Sequence, residues 1–173
     1  MGEHATHDFI KEVTFKPIGI IHSEHKNNQT IPIQPVFACG CRGIAELLPE
    51  FEKGLKDIDG FSHLHLIYYM HKAGEPALIV KPYMGDQLRG VFATRSPKRP
   101  NPIGLSVVRL IGRDGGRLYL DNVDILDGTP LLDIKPFVAR FDHRMNSRAG
   151  WLGPFKDELA DLQESTRENK HDT

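Results

Sequence analysis

An antiparallel β fold, barrel or sandwich, is predicted by three observations. Six to eight short segments have strand character, turn signals separate them at short intervals, and few stretches keep a helical period. Proline and glycine are plentiful, 12 and 16 in 173 residues, which favours strands and turns over long helices. The length suits one domain with a proper core. No fixed-period repeat and no linker divides it, so residues 1–152 read as one domain and residues 153–173 as a polar helical tail.

The elements follow in order along the chain. Residues before about Glu12 are polar and expected to fray. Val13 to His22 reads as a first strand, with Pro17 marking an edge or a bulge. Asn27 to Pro35 carries two prolines and makes an extended loop. Phe37 to Leu48 is mainly strand-like, and Phe51 to Ile58 is a short amphipathic helix closed by Asp59-Gly60. Leu64 to Met70 is almost continuously apolar and aromatic, the pattern of a central strand covered on both sides. Ala77 to Tyr83, Gly90 to Thr94 and Leu105 to Ile111 are three further strands. Asp114-Gly115-Gly116 makes a tight hairpin to Arg117–Asp124, glycine supplying the positive φ that such turns demand. A turn at Asp127-Gly128-Thr129-Pro130 leads into a last strand, and FKDELADLQESTREN, after Gly153, reads as a weakly amphipathic helix.

Several function classes drop out. No apolar run approaches a membrane span, and the start MGEHATHDF lacks the basic and apolar regions of a signal peptide, so a cytoplasmic protein is expected. Cys39 and Cys41 would share one strand face, where neighbours rarely meet disulfide geometry. With no second Cys pair to complete a metal site, they read as buried thiols in a reducing compartment. His63 and His65 also share a face, but no carboxylate or Cys set accompanies them, and no metal is expected. No G-x-G-x-x-G follows a strand, and neither a P-loop nor a G-x-S-x-G elbow occurs. Any cofactor must then be held by loops at the mouth of a barrel or at a subunit interface.

The formal net charge is only −1, yet the charge is uneven: Lys81 to Arg117 holds eight Lys or Arg against two Asp. A basic patch on a neutral protein suits a local anionic ligand such as RNA or phosphate, unless it is a solvated face. Its centre is RGVFATRSPKRPNPIGLS, Arg89 to Ser106, with the cations Arg89, Arg95, Lys98 and Arg99 and three prolines. Each proline fixes its own φ and pushes the residue before it toward extended geometry. Ser96, Arg99 and Asn101 are thus held extended on a stiff backbone. Two other polar segments read as site material, Pro32-Ile33-Gln34-Pro35 and Leu126 to Lys135, the latter with Asp127, Thr129, Asp133 and Lys135. Asp127, followed by Gly128, can accept from a ribose hydroxyl or an amino group; an Asx turn with surface charges beside it is the plain alternative.

GVFATRSPKRPNPIGLSVVRL, together with LDGTPLLDIKPF and FSHLHLIYYMHK, resembles the TrmO family, also called YaeB or VirR-like. The likeness runs roughly from Ile18 to Phe137, within a core of about residues 15–140. It implies a small antiparallel β-barrel with short helices, distinct from Rossmann-type enzymes. It also implies an S-adenosylmethionine-dependent methyltransferase acting on N6-threonylcarbamoyladenosine beside the anticodon of tRNA, working as a homodimer with the cofactor near the subunit junction. By the resemblance, cofactor contacts fall on Gln34, Pro35, His71, Lys72, Arg95, Leu105 and the turn Ile125, Leu126, Asp127, Gly128 and Thr129. Lys98, Arg99, Asn101 and Lys135 are left for the tRNA. Many members have a Pro-Arg-Gln-Pro run where this chain has Pro32-Ile33-Gln34-Pro35, so one arginine is missing.

Methyl transfer from a sulfonium needs alignment of an incoming nitrogen and no metal. The ureido nitrogen is a poor nucleophile until its proton leaves, and Asp133, or Asp127 if not committed to the cofactor, is the expected base. Arg95 and Arg99 can grip phosphates or the threonyl carboxylate by bidentate pairing. Two alternatives stand beside this reading: a methyltransferase of the same fold with another nucleoside or small-molecule substrate, and a non-catalytic RNA-binding barrel.

Overall fold

Closure of a barrel follows from where the apolar residues fall. The computed structural model describes residues 12–27, 31–32 and 34–155. Its strands are β1 (Gly19–Ser23), β2 (Arg42–Leu47), β3 (His63–Tyr69), β4 (Ile79–Val80), β5 (Arg89–Gly90), β6 (Ile103–Asp114), β7 (Arg117–Asp121) and β8 (Thr129–Pro136), followed by one helical turn, α1 (Ala139–Asp142). Six of them close in the order β1-β2-β7-β6-β3-β8, all neighbours antiparallel, and β4 and β5 pair separately. The predicted antiparallel barrel is therefore the fold. Period-two alternation turns Ile21, Ala45, Leu64, Leu66, Tyr68, Val108, Leu118, Leu120 and Leu131 inward. Leu55 and Ile58 join this core from the segment between β2 and β3, and Val123 and Ile125 from the segment between β7 and β8. Each large buried aliphatic side chain contributes roughly 1.5–3 kcal/mol, more than an exposed pair such as Lys16–Glu50 adds.

Antiparallel closure also sorts the connections by end. β1, β3 and β7 finish at the end where β2, β6 and β8 begin. Three long connections, residues 24–41, 70–102 and 122–128, therefore all emerge from one rim. The opposite end holds the β6–β7 hairpin, turned by Gly115 at φ +55°, and the 3-10 turns Pro49–Leu55 and Ile58–Gly60.

Several sequence expectations shift by a few residues for physical reasons. Strand pairing begins at Gly19, not Val13, because Pro17 offers no N–H and the first bond of the ladder region is Ile18 N–H to Leu131 O. Phe37 to Leu48 starts as a 3-10 turn, Pro35–Phe37, and becomes β2 only after Gly40 at φ +72°. The helix expected over Phe51 to Ile58 is two 3-10 turns, interrupted by Asp57 at φ +67°. Gly90 to Thr94 is not a strand: after the short β5 the chain coils as a 3-10 turn, Val91–Ala93, and Thr94 folds back by its amide and hydroxyl onto Val91 O. β7 stops at Asp121, because Asn122 sits at φ +63°. β3 is covered on both faces as expected, but unequally. Leu64, Leu66 and Tyr68 are buried, while His63 and His65 lie half-buried beside the Phe137 ring. Gly150–Phe155 is a 3-10 turn, and the helix predicted beyond it lies outside the described residues. No helix among the described residues is long and apolar enough to cross a membrane.

Candidate active site at the barrel rim

The three rim connections carry most of the residues singled out in the sequence. Gln34 and Pro35 lie on the first, His71, Lys72 and Arg95 on the second, and Ile125 to Gly128 on the third, with Thr129 opening β8. A direct bond ties the first two together: the Arg95 guanidinium donates to Gln34 Oε1. The Asp127 turn is fastened to the barrel. Asp127 N–H donates to His25 O at 2.8 Å and Gly128 N–H to Ile21 O at 2.9 Å. The Asp127 carboxylate accepts from Ser23 N–H at 2.9 Å and pairs with Lys26 Nζ at 2.7 Å. The lysine and then that amide hold its carboxyl below the usual carboxylate range. Gly128 stands at φ +74°, a conformation glycine adopts without the Cβ penalty. Thr129, buried, donates to Leu126 O at 2.6 Å, and His71 Nδ1 lies 3.5 Å from its hydroxyl. Burial, and then Lys72, lower the His71 pKa, which favours a neutral imidazole at this rim.

The proline-stiffened segment is braced from within. Arg99 donates to Thr94 O at 2.9 Å and Val91 O at 3.2 Å, and its guanidinium lies 5.8 Å from the Phe92 ring centroid. Part of its donor fork is thus occupied in shaping the loop, whereas Lys98 and Asn101 are exposed. Lys98 O accepts from Ala77 N–H, joining this loop to the start of the β4–β5 ribbon.

Three residues that sequence reasoning passed over form a polar chain inside the same end. Ser106 donates to Asp124 Oδ1 at 2.6 Å, and Tyr68 OH lies 3.0 Å from Ser106 Oγ. Serine has a single proton, and it is directed at the carboxylate, so Tyr68 is the donor of the second bond. Burial raises the Asp124 carboxyl to about 6, partly offset by the Ser106 bond and by the charge of Arg95. Burial, and then the Asp124 charge, raise Tyr68 to about 12. Gly104 makes this arrangement possible. It pairs across the sheet with Tyr68, and a Cβ there would lie 2.1 Å from Tyr68 Cε2. The signal in the sequence was slight: a lone acid between Val123 and Ile125, and a serine inside the apolar run of β6.

Other expected residues do not join the rim. Asp133 and Lys135 lie further along β8 and pair with each other at 2.7 Å. Asp133 stands opposite Ile67, on the face of the sheet away from Leu66 and Tyr68. Leu105, 56% exposed, points away from the barrel between the buried Gly104 and Ser106. Ile125 turns its side chain into the core, and its carbonyl accepts from Ser23 Oγ. The basic stretch is dispersed as well. Arg109 pairs with Asp121 at 2.6 Å, and Arg117 with Glu46 at 2.8 Å near the far hairpin. Of the Pro32–Pro35 segment, Ile33 lies outside the described residues. Glu24, His25 and Cys41 bring ligand atoms within 4.8 Å of one another, but His25 Nε2 donates to Val123 O and Glu24 is exposed, short of a closed metal site.

Comparison with known proteins places this geometry. The family model for the tRNA-methyltransferase O N-terminal domain matches residues 20–143. A Pyrococcus abyssi protein, named a probable S-adenosyl-L-methionine-binding protein, is 56% identical over 140 residues, covering 81% of this chain and 76% of its own. A mouse protein named tRNA (adenine(37)-N6)-methyltransferase is 36% identical over 138 residues, 76% of this chain but 32% of the mouse protein. The crystal structure of TrmO from Pseudomonas aeruginosa superposes with a TM-score of 0.69 at 42% identity, over 81% of this chain and 62% of that one. The chain therefore spans less than two thirds of both the mouse protein and the solved structure.

Proposed function

The chain belongs to the TrmO family, and from that premise we propose that it is an S-adenosylmethionine-dependent methyltransferase acting on the N6 of N6-threonylcarbamoyladenosine beside the anticodon of tRNA. The observation that carries the reading is the convergence of three connections on one rim, with Arg95 of the second bound to Gln34 of the first.

The rim suits a zwitterionic, sulfonium-bearing cofactor. It offers an exposed guanidinium at Arg95 for a carboxylate and polar groups on the Asp127 turn. When bound, that cofactor supplies an electrophilic methyl group, so the chain's own task is alignment and proton removal. Gln34, Pro35, His71, Lys72, Arg95 and the 126–129 turn are the residues we assign to holding it, whereas Leu105 points away from the rim and the Ile125 side chain into the core. A neutral His71 adds no repulsion toward a cationic ligand. With Asp127 paired to Lys26 and Asp133 to Lys135, neither expected base presents an uncommitted carboxylate. Lys98 and Asn101, exposed on the stiff loop, are assigned to tRNA, with Arg99 shaping that loop. Lys135 lies down the outer wall and reaches tRNA only if the nucleic acid extends along β8. Anticodon-loop bases are unpaired, so a target adenosine enters without opening a duplex.

A homodimer fits the exposed apolar residues Leu78, Ile79, Leu88 and Phe92 of the 77–93 segment, which a second copy would cover. The cytoplasm is the compartment in which we place this activity. Calorimetric titration with S-adenosylmethionine, paired with mass spectrometry of tRNA nucleosides from cells lacking the gene, tests the reading. Saturable binding and loss of the N6-methylated nucleoside are expected. An unchanged nucleoside level with intact cofactor binding would move the substrate to another nucleoside, a reading favoured by the arginine missing from Pro32–Pro35. No saturable binding would leave a non-catalytic RNA-binding barrel.

A further inference from the structure

We propose that Asp124, backed by Ser106 and Tyr68, is the group that takes the proton from the target nitrogen; this rests on the reading of the rim as an N6-methylating site. Three features single it out among the acids of the rim. Its position comes first. Asp124 lies on the 122–128 connection, one residue before the turn assigned to the cofactor, and Arg95 acts on it from the neighbouring loop. Its partners come second. Asp127 is paired with Lys26 and Asp133 with Lys135, whereas among the described residues no cation lies within 4.0 Å of the Asp124 carboxylate. A carboxylate held by a hydroxyl is a stronger base than one neutralised by an ammonium.

The third feature is the direction of its hydrogen bonds. Ser106 donates to Oδ1, and Tyr68 donates to Ser106, so the chain runs from a phenol through a hydroxyl to the carboxylate. Both donors come from barrel strands, β6 and β3, whose ladder fixes their positions. Such a chain orients the carboxylate and stabilises its charged form, and the residue itself stays part-exposed on a rim connection. The groups acting on Asp124 are Ser106 on β6, Tyr68 on β3 by way of Ser106, and Arg95 on the 70–102 connection. The balance between burial and these stabilising groups leaves its carboxyl at about 6, so roughly nine in ten molecules are ionised at neutral pH.

The step balances simply. The N–H proton passes to an Asp124 oxygen as the nitrogen's electron pair forms the bond to the methyl carbon. The carbon–sulfur bond breaks, and its pair stays on sulfur as a neutral thioether. Asp124, now a neutral acid, returns its proton to water before the next cycle.

The test uses the full chain with S-adenosylmethionine and purified substrate tRNA. Asp124→Asn is expected to lower kcat by about 10²–10⁴-fold, with cofactor Kd within a few-fold of wild type. The wild-type rate should fall on the acid side with a midpoint near the Asp124 value, about 6. Ser106→Ala removes a bond that stabilises the charged carboxylate, so that limb should move to higher pH, a shift that a packing role alone would not cause. Independently of turnover, ¹³C NMR of labelled aspartates should show one carboxyl titrating well above the ordinary range and absent in Asp124→Asn. A loss of cofactor binding in Asp124→Asn would make this acid a cofactor ligand and overturn the proposal. So would an ordinary carboxylate titration at Asp124, or an acid limb unmoved in Ser106→Ala. An Asp124 that titrates as stated in a protein that binds cofactor but methylates no tRNA would refute the tRNA reading and leave Asp124 as the basic group of the site.

Discussion

Gly104→Ala is the substitution whose effect the structure fixes most sharply. The added methyl carbon would sit 2.1 Å from Tyr68 Cε2, 2.3 Å from Cζ and 2.7 Å from Cδ2, all far inside contact distance. The backbone cannot yield easily, since Gly104 lies in the β3–β6 ladder opposite Tyr68, and the far half of the same strand, from Arg109 to Asp114, is anchored to β7. The tyrosine ring must therefore swing out of a site where it is almost fully buried, and its bond to Ser106 goes with it. Overpacking of this kind costs about 1–3 kcal/mol, and losing a buried hydrogen bond adds about 1 kcal/mol. For a chain of this size the sum predicts a drop in Tm of about 5–15 °C. Thermal unfolding followed by circular dichroism reads it directly. The double variant Gly104→Ala/Tyr68→Ala relieves the clash, so the glycine substitution should cost much less in that background. A Gly104→Ala protein melting within a degree of wild type would refute the reasoning, because the ring would then have another place to go at no cost.

Four further outcomes are expected. Asp127→Ala removes the Lys26 pair and the acceptor for Ser23 N–H, and should cost about 1–2 kcal/mol at neutral pH. Because the folded-state carboxyl titrates below its unfolded value, that difference is fully present above about pH 4 and should vanish as pH falls through the folded pKa; denaturant titrations at pH 3 and pH 7 check this. Arg95→Ala, which also breaks the link to Gln34, should raise the S-adenosylmethionine Kd about tenfold while leaving Tm nearly unchanged, by calorimetry. Arg99→Ala should loosen its loop, since the single nitrogen Nη1 donates to both Thr94 O and Val91 O; hydrogen exchange over residues 91–99 reports the loss. Trp151→Ala removes the indole bond to Ala93 O and the Arg89 stacking, and should speed amide exchange at residues 89–94 while leaving the barrel strands protected.

Legibility in the sequence tracked how local each cause was. β3 and the β6–β7 hairpin were readable because an unbroken apolar run and an Asp-Gly-Gly turn are signals within a few residues. The 77–83 and 90–94 stretches mislead because their apolar residues resemble strand faces, whereas Leu78, Ile79 and Phe92 are exposed and the pairing is two residues long. Closure itself was beyond reach, since β1 meets β8 across more than a hundred residues of chain. The same distance hid the partners of the site. Nothing near Asp127 announces Ser23 and Lys26, and nothing near Asp124 announces Ser106 and Tyr68. The proline-stiffened loop was recognised as special from its own residues, but the inward use of Arg99 depends on two carbonyls that only the folded turn presents.

The sorting of connections by end has an evolutionary side. A one-residue insertion in a regular strand such as β1 or β2, whose pairing has no bulge, would turn its apolar set outward. An insertion in the exposed stretch around Gly74 of the 70–102 connection meets no such penalty, because doubling a flexible loop costs only about 0.6 kcal/mol in closure entropy. The rim can therefore change length at such a stretch while the register of the six strands, and with it the barrel, is kept.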